Sequence, residues 1–344
     1  MSDLPRSGVQ PPFPRPRLAR VPDVHQAAGI CKATSMNIFV FRFLVSIVAL
    51  AGLSLATHCG CSKHMTQVPT EPKIKSWVYW LQNPDIEKIA SSEGDVVVID
   101  YSSNGRDKKA FTPAEVALLK GRIVLAYLSI GEAEAYRFYW KQAWKNEPPE
   151  FLGPENPDWP GNYKVRYWQE AWWDTALQPY LDRILAAGFD GVYLDIIDAY
   201  WFWHEEGRDL RQAADEMVAL VQRIAAYTSA RSERPFLICP QNGLPLLEDA
   251  SPATARRFLD TADLFGEESL FFNIYSLDDQ HARLRQVRRA LDAGKTVLSV
   301  EYIGPERVQE YRRRAASYRG LVPFAADPDA KLASLPRHGV GSAD

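Results

Sequence analysis

Residues 188–200 read GFDGVYLDIIDAY and contain one complete passage from a helix end into a buried strand. Gly188 suits the position just after a helix, because glycine adopts the left-handed conformation there without strain. The following run, GVYLD, is apolar until it closes on Asp195, which is typical of a parallel strand covered on both faces. We therefore predict a strand over Gly191–Asp195 that carries a carboxylate at its carboxyl end.

Seven further apolar runs of similar length alternate with helix-length amphipathic segments from about Glu71 onward. They are Trp77–Trp80, Val96–Asp100, Ile123–Leu128, Phe236–Pro240, Asp263–Gly266, Val297–Glu301 and Leu321–Phe324. Eight runs over about 260 residues match the count and length of a closed (β/α)₈ barrel. The sequence therefore predicts an α/β protein, a TIM barrel, with a single domain over residues 72–334.

Helix signals lie between these runs. Thr112 and Glu115 predict a capping box in front of a helix over Pro113–Lys120. Three more helices are predicted over Gln178–Ala187, Asp209–Ala230 and Asp278–Ala293. The long third connection, residues 131–174, is rich in tryptophan, proline and glycine. We interpret it as a functional loop, since long loops in compact domains are rarely idle.

The N-terminal part has the pattern of an export segment. Residues 1–35 are rich in proline and arginine and are predicted to be disordered, or to precede the true start codon. Residues 36–61 then predict a signal peptide, with an apolar run over Phe43–Ala56 that is too short to span a bilayer. A retained anchor helix is the alternative. Cys59 and Cys61 follow the run at once, so both a lipoprotein and a freely secreted protein remain open.

We expect the working domain to lie outside the cytoplasm, either secreted or attached to a membrane through an N-terminal lipid or signal anchor alone. Residues 335–344 are expected to form a flexible tail. The formal net charge of -3 gives no basic footprint for nucleic acid, so that class of partner is disfavoured. The chain is expected to act as a monomer.

The sequence offers little for cofactor chemistry. No HExxH or paired metal-ligand spacing occurs, and no glycine-rich phosphate loop follows the seventh or eighth strand. The GxSxG pattern of a serine nucleophile elbow is also missing from the sequence. We therefore predict neither a cofactor nor a metal.

Carboxylates and amides instead follow nearly every predicted strand. In a TIM barrel the active site lies at the carboxyl ends of the strands, so these side chains should gather around one rim. Asp195 alone could simply cap the next helix, but the coincidence of six such strand ends favours a pocket for a polyhydroxylated or cationic ligand. Two facing carboxylates are what glycosidic cleavage needs, one as acid and one as nucleophile or base.

Three stretches carry a resemblance to a known family: AYLSIGEAEAYRFYW at 126–140, NYKVRYWQEAWW at 162–173, and GFDGVYLDIIDAY at 188–200. Together they resemble glycoside hydrolase family 114, the endo-α-1,4-polygalactosaminidase family, in its bacterial branch. The resemblance implies a (β/α)₈ barrel and a catalytic pair made of an Asp after the fourth strand and a Glu after the sixth. The Asp falls on Asp195.

The Glu of the family precedes an aromatic residue by three positions. Within GEESLFF at 266–272 that spacing selects Glu268, and Glu267 stays open as the alternative. The resemblance implies Asp195 as nucleophile or base and Glu268 as acid/base. Leu270 stands where fungal members often have Cys, which leaves the substrate open more than the chemistry.

The resulting hypothesis is a glycosidase that cuts an α-linked, galactosamine-containing polysaccharide. A non-catalytic carbohydrate-binding lipoprotein and a transglycosidase are the alternatives. Nine residues are predicted to bind substrate: Gln82, Asp100, Tyr127, Glu132, Tyr193, Asp198, Trp201, Asn242 and Glu301. For Tyr127 and Tyr193, packing inside the barrel is the competing interpretation.

Overall fold

The computed structural model describes residues 74–335. The predicted extension, the export segment with Cys59 and Cys61, and all but the first residue of the predicted tail lie outside the described residues. Among residues 74–335, no helix has the length and apolar composition needed to cross a bilayer.

Eleven strands are present in the described part of the chain. They are β1 (Trp77–Tyr79), β2 (Val96–Ile99), β3 (Ile123–Ser129), β4 (Glu132–Glu134), β5 (Leu152–Glu155), β6 (Asn162–Val165), β7 (Gly191–Asp195), β8 (Leu237–Pro240), β9 (Leu264–Glu268), β10 (Thr296–Tyr302) and β11 (Leu321–Ala326). Eight of them agree closely with the eight predicted runs. The other three, β4, β5 and β6, lie in the connection that we predicted to be a loop.

The eight barrel strands are parallel and follow one another in chain order. One sheet runs β1-β2-β3-β7-β8 and another β11-β10-β9. A parallel bridge between Gln241 and Gly266 joins β8 to β9. On the other side the Trp77 indole N–H donates to Val322 O at 3.0 Å, which brings β1 against β11. This arrangement is the predicted (β/α)₈ barrel.

Ten α-helices accompany the barrel strands within residues 74–335. They are α1 (Ile86–Ala90), α2 (Pro113–Ala117), α3 (Glu170–Trp172), α4 (Gln178–Ala187), α5 (Ala199–Glu205), α6 (Leu210–Ser229), α7 (Leu246–Asp249), α8 (Pro252–Thr261), α9 (Leu277–Asp292) and α10 (Val308–Ala315). A π-helical stretch, Trp173–Leu177, joins α3 to α4. Thr112 and Glu115 form the predicted capping box of α2, and Gly188 ends α4 at φ 84°.

Two separate apolar clusters show which face of each strand points inward. The cluster inside the barrel contains Tyr79, Tyr127, Tyr193 and Tyr302, whereas the cluster between strands and helices takes the alternate residues. Because side chains alternate along a strand, membership of one cluster fixes the facing of its neighbours. On β9, Leu264 belongs to the inner cluster and Phe265 to the outer one.

Residues 131–174 form a small antiparallel sheet of order β4-β6-β5 at the carboxyl end of β3. Its strands are three or four residues long, and β5 reads LGPE, so no apolar alternation announces them in the sequence. Three of the six tryptophans in these residues belong to the core. Trp144, Trp172 and Trp173 are buried, and the Trp172 indole N–H donates to Ile130 O at 3.0 Å.

Candidate active site

Asp195 is the last residue of β7 and Glu268 is the last residue of β9, and both side chains face the inside of the barrel. Both continue the inward-facing alternation of their strands, after Tyr193 on β7 and after Leu264 and Gly266 on β9. Their exposed fractions are only 7% and 5%. The negative charge of Glu268 raises the pKa of Asp195, second only to burial as a cause, so the two carboxyls lie in one site.

Hydroxyl and amide donors surround this pair. The Tyr127 hydroxyl donates to Asp195 Oδ2 at 2.6 Å. Glu268 accepts hydrogen bonds from the Tyr302 hydroxyl and from Asn242 Nδ2, the latter at 2.9 Å. Of the residues predicted to bind substrate, Tyr127 and Asn242 therefore contact the catalytic candidates directly.

Glu267 points to the opposite side of β9. Its carboxylate forms an ion pair with Arg283 of α9 at 2.8 Å, and its exposed fraction is 1%. Arg283 also donates to the backbone carbonyls of Glu268 and Ser269. Glu267 thus helps to fix the turn after β9 and is separated from Asp195 by the strand itself.

Burial raises the pKa of both carboxyls, and the negative charge of Glu268 raises the pKa of Asp195 further. The pKa of Asp195 rises from 3.8 to about 8. Burial also raises the pKa of Glu268, but hydrogen bonds from Tyr302, Asn242 and Gln241 oppose that rise. Because the two groups are coupled, their ionisations belong to the pair. Acid/base cleavage requires the state in which the pair holds one proton.

The raised pKa of Asp195 predicts a pH-dependent loss of stability. A group whose pKa is higher in the folded state stabilises the fold fully below its ordinary pKa of 3.8, and this contribution is lost as pH rises toward about 8. We expect Asp195→Asn to melt about 2–4 °C above the wild type near pH 8, corresponding to about 1 kcal/mol or more. The two proteins should melt at similar temperatures near pH 4. A difference in melting temperature that does not change with pH would contradict this assignment.

Two further predicted residues, Asp100 and Glu132, are held in buried ion pairs. Asp100 binds Arg137 at 2.7 Å, and burial raises its pKa to about 6 although Arg137 acts against the rise. Glu132 pairs with Lys164 and accepts from Asn156 Nδ2 at 2.9 Å. The Asp100 pair joins the end of β2 to the segment after β4, whereas the Glu132 pair links β4 to β6 within the small sheet.

Glu301 is also placed differently from the catalytic pair. It is fully buried, and it lies on the face of β10 opposite to Tyr302. Its Oε1 accepts the backbone N–H of Phe271 at 2.7 Å, and burial raises its pKa to about 8. Glu301 therefore fixes the loop that follows Glu268.

The four remaining predicted residues are Tyr193, Asp198, Trp201 and Gln82, and only the first two are shown acting on the pair or packing beneath it. Tyr193 packs inside the barrel, 5.2 Å from the Tyr79 ring between centroids, and a Cβ on Gly266 would collide with its hydroxyl. Asp198 precedes α5, and its negative charge adds to the rise that burial causes in the pKa of Asp195 and of Glu132. Trp201 is half-buried beside His204. Gln82 is half-buried, and its backbone N–H donates to Leu332 O at 3.1 Å.

Sequence reasoning missed several residues that build the site. Tyr302 donates to Glu268, Tyr79 donates to Gln241 Oε1 at 3.3 Å, and Arg283 holds the backbone beneath Glu268. Strand alternation could have found Tyr79 and Tyr302, because both occupy inward positions near strand ends. Arg283 lies in the middle of a helix, and no local pattern marks it.

The chain is similar to known proteins over most of its length. The model of the glycoside-hydrolase family GH114 matches residues 61–330. An uncharacterized protein of Methanocaldococcus jannaschii is 37% identical over 75% of this chain and 77% of its own length. An uncharacterized protein of Thermotoga maritima is 36% identical over 84% of this chain and 92% of its own.

Two solved structures share the fold. The glycoside hydrolase domain of PelA from Pseudomonas aeruginosa superposes with a TM-score of 0.57 at 20% identity, covering 76% of this chain and 97% of that domain. Aspergillus fumigatus Ega3, in complex with galactosamine, gives a TM-score of 0.54 at 18% identity over 80% and 98% of the two chains. From the extent of the family match and the identity to the two relatives, the chain belongs to glycoside-hydrolase family GH114.

Proposed function

We propose that this protein is a glycosidase that hydrolyses an α-linked, galactosamine-containing polysaccharide, with Asp195 and Glu268 as its catalytic pair. The observation that carries the proposal is the pair itself. Two buried carboxyls face the same barrel interior, burial raises the pKa of both, and the negative charge of Glu268 raises the pKa of Asp195 further. Glycosidic cleavage requires one protonated and one ionised carboxyl on either side of the bond.

The chemistry divides between the two groups. The acid donates its proton to the glycosidic oxygen as the bond to the anomeric carbon breaks. The other carboxylate either attacks that carbon or removes a proton from the water that does. The family resemblance assigns the second role to Asp195 and the acid/base role to Glu268. The outward position of Glu267, paired with Arg283, favours Glu268 over its neighbour.

An amino sugar fits the electrostatics of this site. With one shared proton, the pair carries a net negative charge in a buried environment. A sugar ammonium group bound beside it would stabilise the ionised form of the nearer carboxyl. The galactosamine bound in the Ega3 structure supports the same substrate class by analogy of fold.

The same argument predicts a preference for free amines over acetamides. We expect kcat/KM on a de-N-acetylated galactosamine oligosaccharide to exceed that on its fully N-acetylated counterpart by at least about 10-fold, because neutral acetamide cannot stabilise the ionised carboxyl. Chromatography of the products from matched oligosaccharides measures both rates. Equal rates on the two substrates would contradict the proposed amino-sugar specificity.

The same products separate hydrolysis from the two alternatives. Hydrolysis generates new reducing ends in proportion to cleaved bonds, whereas a transglycosidase also makes chains longer than the substrate. A carbohydrate-binding protein without activity would leave the substrate unchanged.

We also propose that the protein is exported. The support is the apolar run over residues 43–56 and the two cysteines that follow it. Fractionation of cells that express the full chain, with and without Cys59→Ser and Cys61→Ser, tests both export and lipid attachment. Recovery in the cytoplasm would contradict the proposal, and release of the double variant into solution would indicate a lipoprotein.

A further inference from the structure

Two tyrosines donate to the catalytic candidates, one to each carboxyl. Tyr127 of β3 donates to Asp195 Oδ2 at 2.6 Å, and Tyr302 of β10 donates to Glu268 Oε1. Both rings belong to the apolar cluster inside the barrel, with exposed fractions of 7% and 5%. Their hydroxyls are therefore held by packed rings.

The strand register places each tyrosine beside its carboxyl. On β3, Tyr127 lies opposite Tyr193, two residues before the position opposite Asp195. On β10, Tyr302 lies two residues beyond Val300, which is opposite Glu268. Residues two apart on a strand share a face, so each hydroxyl comes from the inward face of the adjacent strand. The geometry is set by the barrel and does not depend on a loop.

Glu268 accepts more hydrogen bonds than Asp195 does. Glu268 also accepts from Asn242 Nδ2 at 2.9 Å, while Asn242 Oδ1 accepts the Glu268 backbone N–H at 3.1 Å and so has its orientation fixed. Among the largest influences on its pKa, Asp195 has two that favour its ionised form, the hydrogen bonds from Tyr127 and from the backbone N–H of Ile196, whereas Glu268 has three hydrogen bonds of this kind. Hydrogen bonds to a charged oxygen favour ionisation, so the excess of donors favours an ionised Glu268.

Neighbouring charges act in the same direction. The charge of Arg283 on α9 favours ionised Glu268, and the charge of Asp198 before α5 disfavours ionised Asp195. Burial raises the pKa of the Tyr79 and Tyr302 hydroxyls, and the charges of Glu268 and Asp195 raise it further, so both hydroxyls lie near the pair. Donors and charges together make Glu268 the better anion.

We propose that Tyr127 and Tyr302 are positioning residues, each of which sets the ionisation of one carboxyl, and that the proton shared by the pair rests on Asp195 in the free site. This inference rests on the proposed function, in which the pair performs the acid/base chemistry. The role of each tyrosine is then distinct, because each acts on a different ionisation of the pair.

The distinction appears in the pH dependence of kcat/KM, which reports ionisations of the free enzyme. The acidic limb follows ionisation of Glu268, and the basic limb follows loss of the last proton from Asp195. Glu268 is ionised both before and after the second ionisation, so the Tyr302 hydroxyl stabilises both of those states. Removing this hydroxyl therefore changes only the pKa of the first ionisation. Tyr127 supports ionised Asp195, which forms only in the second.

We expect Tyr302→Phe to raise the acidic limb by about one pH unit and to leave the basic limb in place, which narrows the profile. Tyr127→Phe should raise the basic limb by a similar amount and leave the acidic limb in place, which broadens it. Phenylalanine keeps the packed ring, so both variants are expected to fold. Tyr311→Phe is the matched control, because its buried hydroxyl donates to Ser299 O of β10 and contacts neither carboxyl.

If neither variant shifts a limb of the pH profile, the positioning roles are wrong. If Tyr302→Phe shifts the basic limb and Tyr127→Phe shifts the acidic limb, the shared proton rests on Glu268. Infrared difference spectra of the substrate-free protein at a pH of about 6 test the proton position without activity. The inference requires a carboxylic-acid band that Asp195→Asn removes and Glu268→Gln retains, and the opposite result refutes it. If the wild type cleaves none of the substrates, the proposed function fails, whereas the infrared band still locates the proton.

Discussion

The Asp195→Asn and Glu268→Gln variants each lose at least about 10³-fold of the wild-type kcat on the polysaccharide while remaining folded. Both substitutions keep the shape of the side chain and remove its ability to exchange a proton. Each also removes the mutual repulsion in the pair, so loss of activity through unfolding is not expected. Asp260→Asn, on the exposed surface of α8, is the control and should keep wild-type turnover. Wild-type turnover by Asp195→Asn would show that another group performs the chemistry.

A substrate with an activated leaving group separates the two roles. A galactosamine fluoride needs little protonation to depart, so a variant that lacks the acid should regain much of its turnover on it. We expect Glu268→Gln to regain turnover and Asp195→Asn to remain inactive. In the free site the proton rests on Asp195. When substrate binds, the sugar ammonium group stabilises the ionised form of Asp195, and the proton moves to Glu268. Recovery by Asp195→Asn instead would exchange the two roles.

The barrel could be predicted from the sequence because its strands are buried on both faces. Such strands read as apolar runs, and each of the eight runs became a barrel strand within a few residues of its predicted bounds. Local signals with a direct mechanism also held, as in the capping box of Thr112 and Glu115. The β4-β6-β5 sheet could not be predicted in this way, because its three-residue and four-residue strands are held by partners distant in sequence.

The expectation that polar residues at the carboxyl ends of the strands form the active site located the site. It could not tell which face of its strand each polar residue occupies. It selected Glu268 and Glu301 alike, although one lies inside the barrel and the other fixes the loop at Phe271. The choice between Glu267 and Glu268 follows from alternation once Leu264 and Phe265 are assigned to the inner and outer clusters. The ion pair of Asp100 with Arg137 joins residues 37 apart in the chain, and no spacing in the sequence announces it.

Among the variants proposed, one that removes Arg137, the cation paired with Asp100, is expected to lose the most stability. Arg137 lies with its side chain 1% exposed between Asp100 at 2.7 Å and Glu134 at 2.6 Å, and the Tyr136 ring lies 4.8 Å from its guanidinium carbon. Arg137→Met would leave two buried carboxylates without their partner. Breaking a buried pair in this way typically lowers the free energy of unfolding by about 3–5 kcal/mol.

For a domain of this size, that loss corresponds to a melting temperature lower by about 10 °C, measured by circular dichroism. The loss should grow as pH rises above about 6, because the pKa of Asp100 is already raised to about 6 by burial and Arg137 opposes the rise. Arg183→Met is the matched control. Its guanidinium also binds a carboxylate, Asp107 at 2.8 Å, and lies 3.6 Å from the centre of the Phe138 ring, but its side chain is 35% exposed. An exposed pair contributes less than about 1 kcal/mol, so equal losses in the two variants would show that burial of Arg137 does not decide its role.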